Sequence, residues 1–239
     1  DDFPLVESDW VSHILPIILS RFQDSPTVGE SALNLGLAIV KKISVQTFPL
    51  VTRVIFNVLE ETSKWKVKVG CLQILKSYIE RVENLDRDLL SVSLNLLIPV
   101  LRELVHDTRK EVSNQSLETL TVAMKGINNK DLEPFIPELI QAIQNPLQIE
   151  ESIQHLGGVV FVQTVDSSAL SVMVPLMVAG FKQPKFIIKR LCARIVGNMV
   201  KLVEDPLDAA PFLDDLIPKI KESRDTVSEP EVRDVLSQT

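Results

Sequence analysis

The residues best suited to bind a ligand are basic, and they lie in three short clusters. The clusters are Lys64, Lys66 and Lys68 with Trp65 among them, Arg109 with Lys110, and Lys182, Lys185, Lys189 and Arg190. Clustered cationic groups neutralise phosphates, and an exposed indole ring can stack on a base. We therefore predict that these residues contact a phosphate-bearing partner. The alternative is that they are ordinary solvated charges at helix starts, with Trp65 anchoring its helix to a neighbour.

No histidine or acidic residue has the spacing of a catalytic or metal site. His13, His106 and His155 lie far apart, and none has a Cys or a carboxylate at ligand or triad spacing. Acidic pairs such as Glu150-Glu151 fit a helix start, where the helix dipole favours negative charge. We predict no catalytic residue and no metal site in this segment.

A nucleotide site is not indicated either. The phosphate-binding pattern GxxxxGK[ST] is absent, and Gly157-Gly158 lies within a predicted helix without the preceding strand that a dinucleotide site requires. These glycines are expected to let two helices approach closely. The segment is therefore predicted to be non-enzymatic, with no cofactor and no small-molecule substrate.

Composition indicates helices. Of 239 residues, 45% are hydrophobic but only 5% are aromatic, and eight glycines are few for a strand-rich fold. The net charge of −7 makes the whole body a poor polyanion binder, so basic clusters would have to act locally.

Several features predict a cytoplasmic protein fragment. Cys71 and Cys192 are too isolated for a disulfide framework or a metal site, and are expected to be reduced and buried. No apolar run reaches the roughly 18 residues that cross a bilayer, so no membrane association is expected. The chain begins Asp1-Asp2-Phe3-Pro4, with neither an initiator Met nor a signal peptide, and we expect further chain on both sides.

A phrase of apolar residues around a proline recurs along the chain. Positions 16, 55, 99, 137, 175 and 218 are equivalent and stand 38 to 44 residues apart; all are proline except Ile55. This period predicts HEAT or armadillo repeats, each with an A helix, a turn and a B helix. Proline inside a helix is costly, so the A helices are expected to be kinked.

The fold predicted is all-α, a right-handed α-solenoid of about six HEAT-like helix pairs forming one domain over residues 1–239. The approximate repeats are 11–43, 47–83, 88–124, 131–164, 167–203 and 208–239, the last one truncated. The fourth B helix is predicted over 149–164, and helical spacing places Ile187, Leu191, Ile195 and Met199 in the core.

Particular phrases resemble a known family. They are Glu61-Thr-Ser-Lys-Trp65, Asn129-Lys-Asp-Leu-Glu-Pro-Phe-Ile-Pro137, Leu170-Ser-Val-Met-Val-Pro-Leu176, and Lys201-Leu-Val-Glu-Asp-Pro206 followed by Ala210-Pro-Phe-Leu213. In order and spacing, from roughly Phe48 to Pro230, they are similar to the N-terminal HEAT domain of the fungal translation elongation factor 3 family. Departures at Gly180-Phe-Lys-Gln-Pro-Lys-Phe186 favour a paralogue.

The resemblance implies a segment of a ribosome-associated ATPase. Its HEAT domain would dock on ribosomal RNA and ribosomal proteins, and could contact other translation factors, while two ABC cassettes outside this segment use ATP and Mg. Two alternatives stay open. Ile195-Val-Gly-Asn-Met199 also resembles the large ribosome-associated scaffold that activates the starvation-responsive kinase, and the repeat alone fits a general protein-binding solenoid.

Overall fold

A computed structural model describes residues 6–239, apart from the side chains of residues 6 and 8. The described residues form helices joined by turns and loops, and no β-strand occurs among them. The helices form two compact units, one ending at residue 126 and the other beginning at residue 127. The predicted all-α fold is confirmed, and the single-domain organisation stays a prediction. Residues 1–5, to which the expectation about the chain start refers, lie outside the described part.

Unit 1 contains three helix pairs. The helices are α1 (Val6–Asp9), α2 (Leu15–Ser20), α3 (Pro26–Lys42), α4 (Phe48–Glu61), α5 (Trp65–Leu85), α6 (Arg87–Val105) and α7 (Lys110–Ala123). A π-helical stretch, Trp10–Ile14, joins α1 to α2, and short 3-10 turns lie at Arg21–Gln23, Val45–Thr47 and Met124–Gly126. The A helix of each pair is α2, α4 or α6, and the B helix is α3, α5 or α7.

Unit 2 contains the remaining pairs. Its helices are α8 (Ile136–Gln144), α9 (Ile149–Leu156), α10 (Ser167–Phe181), α11 (Phe186–Val200), α12 (Pro206–Thr226) and α13 (Pro230–Gln238), with 3-10 turns at Glu133–Phe135 and Pro146–Gln148. Here α8, α10 and α12 are the A helices. Within this unit each A helix contacts the next A helix, and each B helix contacts the next B helix, which is the stacking that HEAT repeats require.

Hydrogen bonds join equivalent parts of neighbouring repeats in unit 1. The fully buried Tyr78 of α5 donates its hydroxyl to the Ser44 carbonyl at 2.6 Å and meets Thr47 Oγ1 at 2.9 Å. Arg81, one turn on, donates to the carbonyl oxygens of Val40 and Ile43. These carbonyls lie at the end of α3, where no intrahelical donor is left. The second repeat therefore caps the B helix of the first.

The fourth B helix is shorter than predicted. It ends at Leu156, so Gly157 is the residue after the helix, and the prediction of a helix over 149–164 with these glycines inside it is wrong. The next residues run as a loop whose Val162 and Gln163 N–H groups donate to Asp131 Oδ2 at 2.7 and 2.8 Å. Two consecutive glycines and a run of β-branched residues disfavour helix, and the Asp131 carboxylate supplies the alternative partners.

The recurrent prolines are not all inside helices. Pro99, Pro175 and Pro218 interrupt helix interiors as predicted. Pro16 and Pro137 instead occupy the first turn of α2 and α8, directly after π and 3-10 segments. Proline is favoured in the first turn of a helix because its fixed φ angle suits that position.

One predicted core residue of α11 faces solvent. Ile187 is 55% exposed, whereas its neighbour Ile188 is fully buried. Ile195 and Met199 are buried as predicted. The apolar stripe of α11 therefore begins one residue later than the spacing suggested.

Among the described residues, no single helix is long and apolar enough to cross a membrane. Two successive helical segments are long and apolar enough only when taken together, and they are bent by 117° relative to each other; they are Pro26–Lys42 and Val45–Glu61.

Gly180 is a point of close approach within unit 2. A Cβ atom built there would lie 2.4 Å from Cys192 Sγ and 2.4 Å from Ile153 Cδ1. Gly197, inside α11, has only Thr239 Oγ1 within 4 Å, at 3.8 Å. The two glycines therefore make a matched pair.

We expect Gly180→Ala to destabilise the protein by about 1–3 kcal/mol, because the methyl group overpacks a filled contact. Gly197→Ala should instead stabilise it by about 0.5–1 kcal/mol, since alanine favours helix and has room. Urea denaturation followed by circular dichroism measures both. Equal effects of the two changes would show that the contact at Gly180 is not tight.

Candidate functional site

Three A helices and three B helices carry opposite charges at their starts. The A helices α6, α10 and α12 are capped by Asp86, Asp166 and Asp205, whose carboxylates accept first-turn N–H groups at 2.9–3.0 Å. The residues at the same position of the B helices α5, α7 and α11 are Lys64, Arg109 and Lys185, and none of these side chains caps its helix. A cation at a helix start is electrostatically unfavourable. Helix capping therefore does not explain this pattern.

The turns that precede the B helices of unit 1 are neighbours. Lys64 Nζ contacts Gln23 Oε1 in the preceding turn. Lys68 Nζ lies 2.8 Å from Asp107 Oδ2 in the following turn. These contacts place the turns at 23–26, 62–65 and 107–110 side by side.

Four of the predicted contact residues of unit 1 are free to bind a ligand. Lys64, Lys66, Arg109 and Lys110 are exposed, and none forms an ion pair among the described residues. We call these four side chains the basic edge. Trp65 is half-buried beside them, with Lys66 Nζ 6.0 Å from the centre of its ring.

Lys68 has a structural partner. The Lys68 and Asp107 side chains are only 20% and 13% exposed. Burial opposes ionisation of Asp107, but the Lys68 ammonium group, the Arg109 N–H and the Arg109 charge outweigh it and lower the pKa of Asp107. Lys68 therefore joins two repeats. The basic pattern in the sequence could not show whether Lys68 has this structural role or binds a ligand.

The predicted contact residues of unit 2 are closer to acids. Lys185 Nζ lies 2.5 Å from Glu150 Oε2. The pKa of Glu222 is lowered mainly by its hydrogen bond with Lys219, and the positive charges of Lys189 and Lys182 add to the effect. Arg190 is exposed and has no ion pair among the described residues. This cluster is thus more neutralised than the basic edge.

The remaining titratable candidates do not assemble a reaction centre. His155 Nδ1 lies 3.1 Å from Glu138 Oε1, a pair that sequence spacing missed because the two residues lie on successive helices. No group of three or more His, Cys, Asp or Glu in the described part could hold a metal ion. Cys71 and Cys192 are free and buried, and burial raises the pKa of each thiol to about 12.

Stacked helix pairs whose turns lie side by side along one edge are typical of the class of HEAT-repeat proteins. Residues 4–120 match the family model described as EF3 N-terminal HEAT repeat, and residues 148–239 match the one described as Elongation factor 3/GNC1 HEAT repeat. The chain belongs to the elongation factor 3 family of HEAT-repeat domains, as the resemblance predicted.

Curated relatives from several fungi are similar over most of this chain. Elongation factor 3 of Zygosaccharomyces rouxii is 37% identical over 97% of the chain, and that of Eremothecium gossypii is 40% identical over 97%. Elongation factor 3B of Saccharomyces cerevisiae is 37% identical over 90%. The chain spans 22%, 22% and 20% of these relatives, about a fifth of their length. It is therefore similar to one HEAT region of a translation factor.

The pair between Lys68 and Asp107 leads to a prediction about stability. Asp107→Asn removes the negative charge but keeps the oxygen that accepts the Arg109 N–H at 2.9 Å. We expect a loss of about 1–2 kcal/mol at pH 7, because the Lys68 ammonium group stays largely buried without a counter-charge. Thermal unfolding at fixed protein concentration measures it.

The same variant should show a defined pH dependence. Asp107 has a lowered pKa in the folded state, so its contribution is complete above the ordinary aspartate pKa of about 3.9 and is lost as the pH falls towards the lowered value. The difference between wild type and Asp107→Asn should therefore shrink below about pH 4. Glu118→Gln is the control, because Glu118 pairs with Lys76 but is 57% exposed and should contribute only about 0.3 kcal/mol. An effect as large as that of Asp107→Asn would contradict the assignment.

Burial of both thiols predicts slow chemical modification. At about pH 8, an aromatic disulfide reagent should label neither Cys71 nor Cys192 in the folded protein. Each thiol is almost entirely protonated at this pH, and its sulfur is covered by neighbouring residues. Two thiols should react after denaturation. Rapid labelling of the folded protein would mean that the helices around one of them open readily.

Proposed function

We propose that this segment docks its parent translation factor on the ribosome, with the basic edge of unit 1 touching ribosomal RNA and adjoining surfaces touching ribosomal proteins. The observation that carries the proposal is the reversed charge at the starts of the B helices. Lys64 and Arg109 occupy positions where the A helices carry Asp86, Asp166 and Asp205. A partner that brings negative charge would relieve this local cost.

Two features make an RNA backbone a fitting partner. The adjoining turns place four exposed cations, none in an ion pair with a described residue, along one edge, although the chain as a whole carries a net charge of −7. Backbone N–H groups of the first turns of α5 and α7 lie in the same region, and such groups also favour phosphate. The basic edge would thus supply a local phosphate site on an acidic body.

The chemistry of the whole protein would reside elsewhere. By family, we propose that the parent is a cytoplasmic ATPase whose two ABC cassettes, outside this segment, bind ATP and Mg. The docking module would hold those domains in position. Its own contribution would be binding energy, since the described residues offer no assembled nucleophile and base.

Neutralising the basic edge should weaken ribosome binding. The variant carries Lys64→Gln, Lys66→Gln, Arg109→Gln and Lys110→Gln, and it leaves Lys68 in place because Lys68 pairs with Asp107. Each phosphate that the variant can no longer neutralise should reduce the log-log salt slope by about 0.7–0.9, so four such phosphates predict a drop of about 3. Co-sedimentation of the 239-residue chain with ribosomes and with separated subunits, across a salt series, measures the slope.

The control removes the same charge from another part of the surface. Lys41, Lys42, Lys130 and Lys201 are exposed and lie outside the basic edge, so their joint change to Gln should leave the slope nearly intact. If both variants bound ribosomes equally weakly, the loss would come from the change in net charge and not from the basic edge. Absence of wild-type binding at low salt, from a chain folded by circular dichroism, would overturn the docking role.

A further inference from the structure

A groove separates α3 from α5 next to the basic edge. It is lined by Phe22 and Asp24 of the preceding turn, by Gly29 and Glu30 of α3, and by Trp65 and Lys66 of α5, and its volume is about 320 Å³. Phe22 forms part of its floor, since its ring packs so closely on Gly70 that a Cβ there would lie 2.4 Å away. Trp65 is half-buried and lines the groove.

Gly29 keeps this groove open. The nearest atoms to a Cβ built at Gly29 belong to the Phe22 backbone, and the closest of them, at 3.5 Å, is an ordinary contact. Alanine would also favour the helix that Gly29 lies in. The fold therefore does not need glycine here. A larger side chain at this position would fill the open space of the groove.

The groove has two carboxylates, Asp24 and Glu30, and one ammonium group, Lys66, so its charge favours a cationic guest. Glu30 is exposed and has no ion pair among the described residues, while Asp24 has only a loose, exposed contact with Arg21 at 3.5 Å. Lys66 lies 6.0 Å from the centre of the indole ring, at the outer limit of a cation–π contact. An aromatic face with a carboxylate beside it suits a planar guanidinium better than an ammonium ion, because the guanidinium both stacks and forms paired hydrogen bonds.

We propose that this groove binds an arginine side chain of a basic polypeptide, with the guanidinium stacked on Trp65 and paired with Glu30. The site is distinct in chemistry from the basic edge beside it, which attracts phosphates. The segment would thereby recognise a protein and a nucleic acid on neighbouring surfaces. The residues proposed to bind the guanidinium, Trp65 and Glu30, are not part of the basic edge, although Lys66 borders both surfaces.

Fluorescence of Trp65 provides the test. Trp10→Phe leaves Trp65 as the single tryptophan of the chain. We expect a capped peptide of alternating Gly and Arg to shift its emission, and the matching Gly and Lys peptide to bind about threefold more weakly. In the same background, Glu30→Gln should weaken binding of the Arg peptide about fivefold. Gly29→Met should abolish the shift, because its side chain starts inside the groove.

The control is Glu80→Gln, an exposed acid of α5 outside the groove, which should leave the affinity within about twofold. Circular dichroism checks that each variant is folded. Equal losses for Glu30→Gln and Glu80→Gln would reduce the binding to net charge and overturn the proposal. The proposal would also be overturned if a short oligouridine shifted the Trp65 emission, Gly29→Met blocked that shift, and the Arg peptide caused none. The guest of the groove would then be a nucleic-acid base.

Discussion

Packing between successive repeats is the constraint on which the rest of this structure depends. One helix pair cannot bury its apolar face alone, so each repeat needs the next. The contacts are close: a Cβ at Gly36 would lie 2.3 Å from Ile74, and one at Gly180 would meet both Ile153 and Cys192. Hydrogen bonds from Tyr78 and Arg81 add to this packing by capping the end of the preceding B helix. Stability therefore resides in interfaces between repeats rather than in single helices.

The same stacking creates the candidate binding surface. Because repeats pack in register, turns that are about 40 residues apart in sequence become neighbours, and a residue type that recurs at helix starts becomes a charged edge. The A helices use aspartate caps and gain stability. The B helices α5 and α7 carry cations there and forgo that gain. Such a local departure from good helix design is typical of surfaces selected for binding.

Trp65 lies where two kinds of surface meet. Towards the turns it adjoins cations suited to phosphate, and towards α3 it borders a groove lined by the carboxylates of Asp24 and Glu30. The basic edge lies at the starts of α5 and α7, and the groove lies between α3 and α5, so α5 contributes to both surfaces. Relatives named elongation factor 3 are similar over most of this chain, which covers about a fifth of the length of each.

The sequence by itself determined the helical class, the repeat period and most helix bounds, because apolar spacing, proline and cap residues act locally. It also identified the family through phrases such as Glu61-Thr-Ser-Lys-Trp65. Tertiary structure alone decided which charges are free. Lys68 and Lys66 look alike in sequence, yet Lys68 pairs with Asp107 of the next repeat, and the loop after Leu156 depends on Asp131. Such pairings join residues of different repeats, so their partners become visible only once the repeats are stacked.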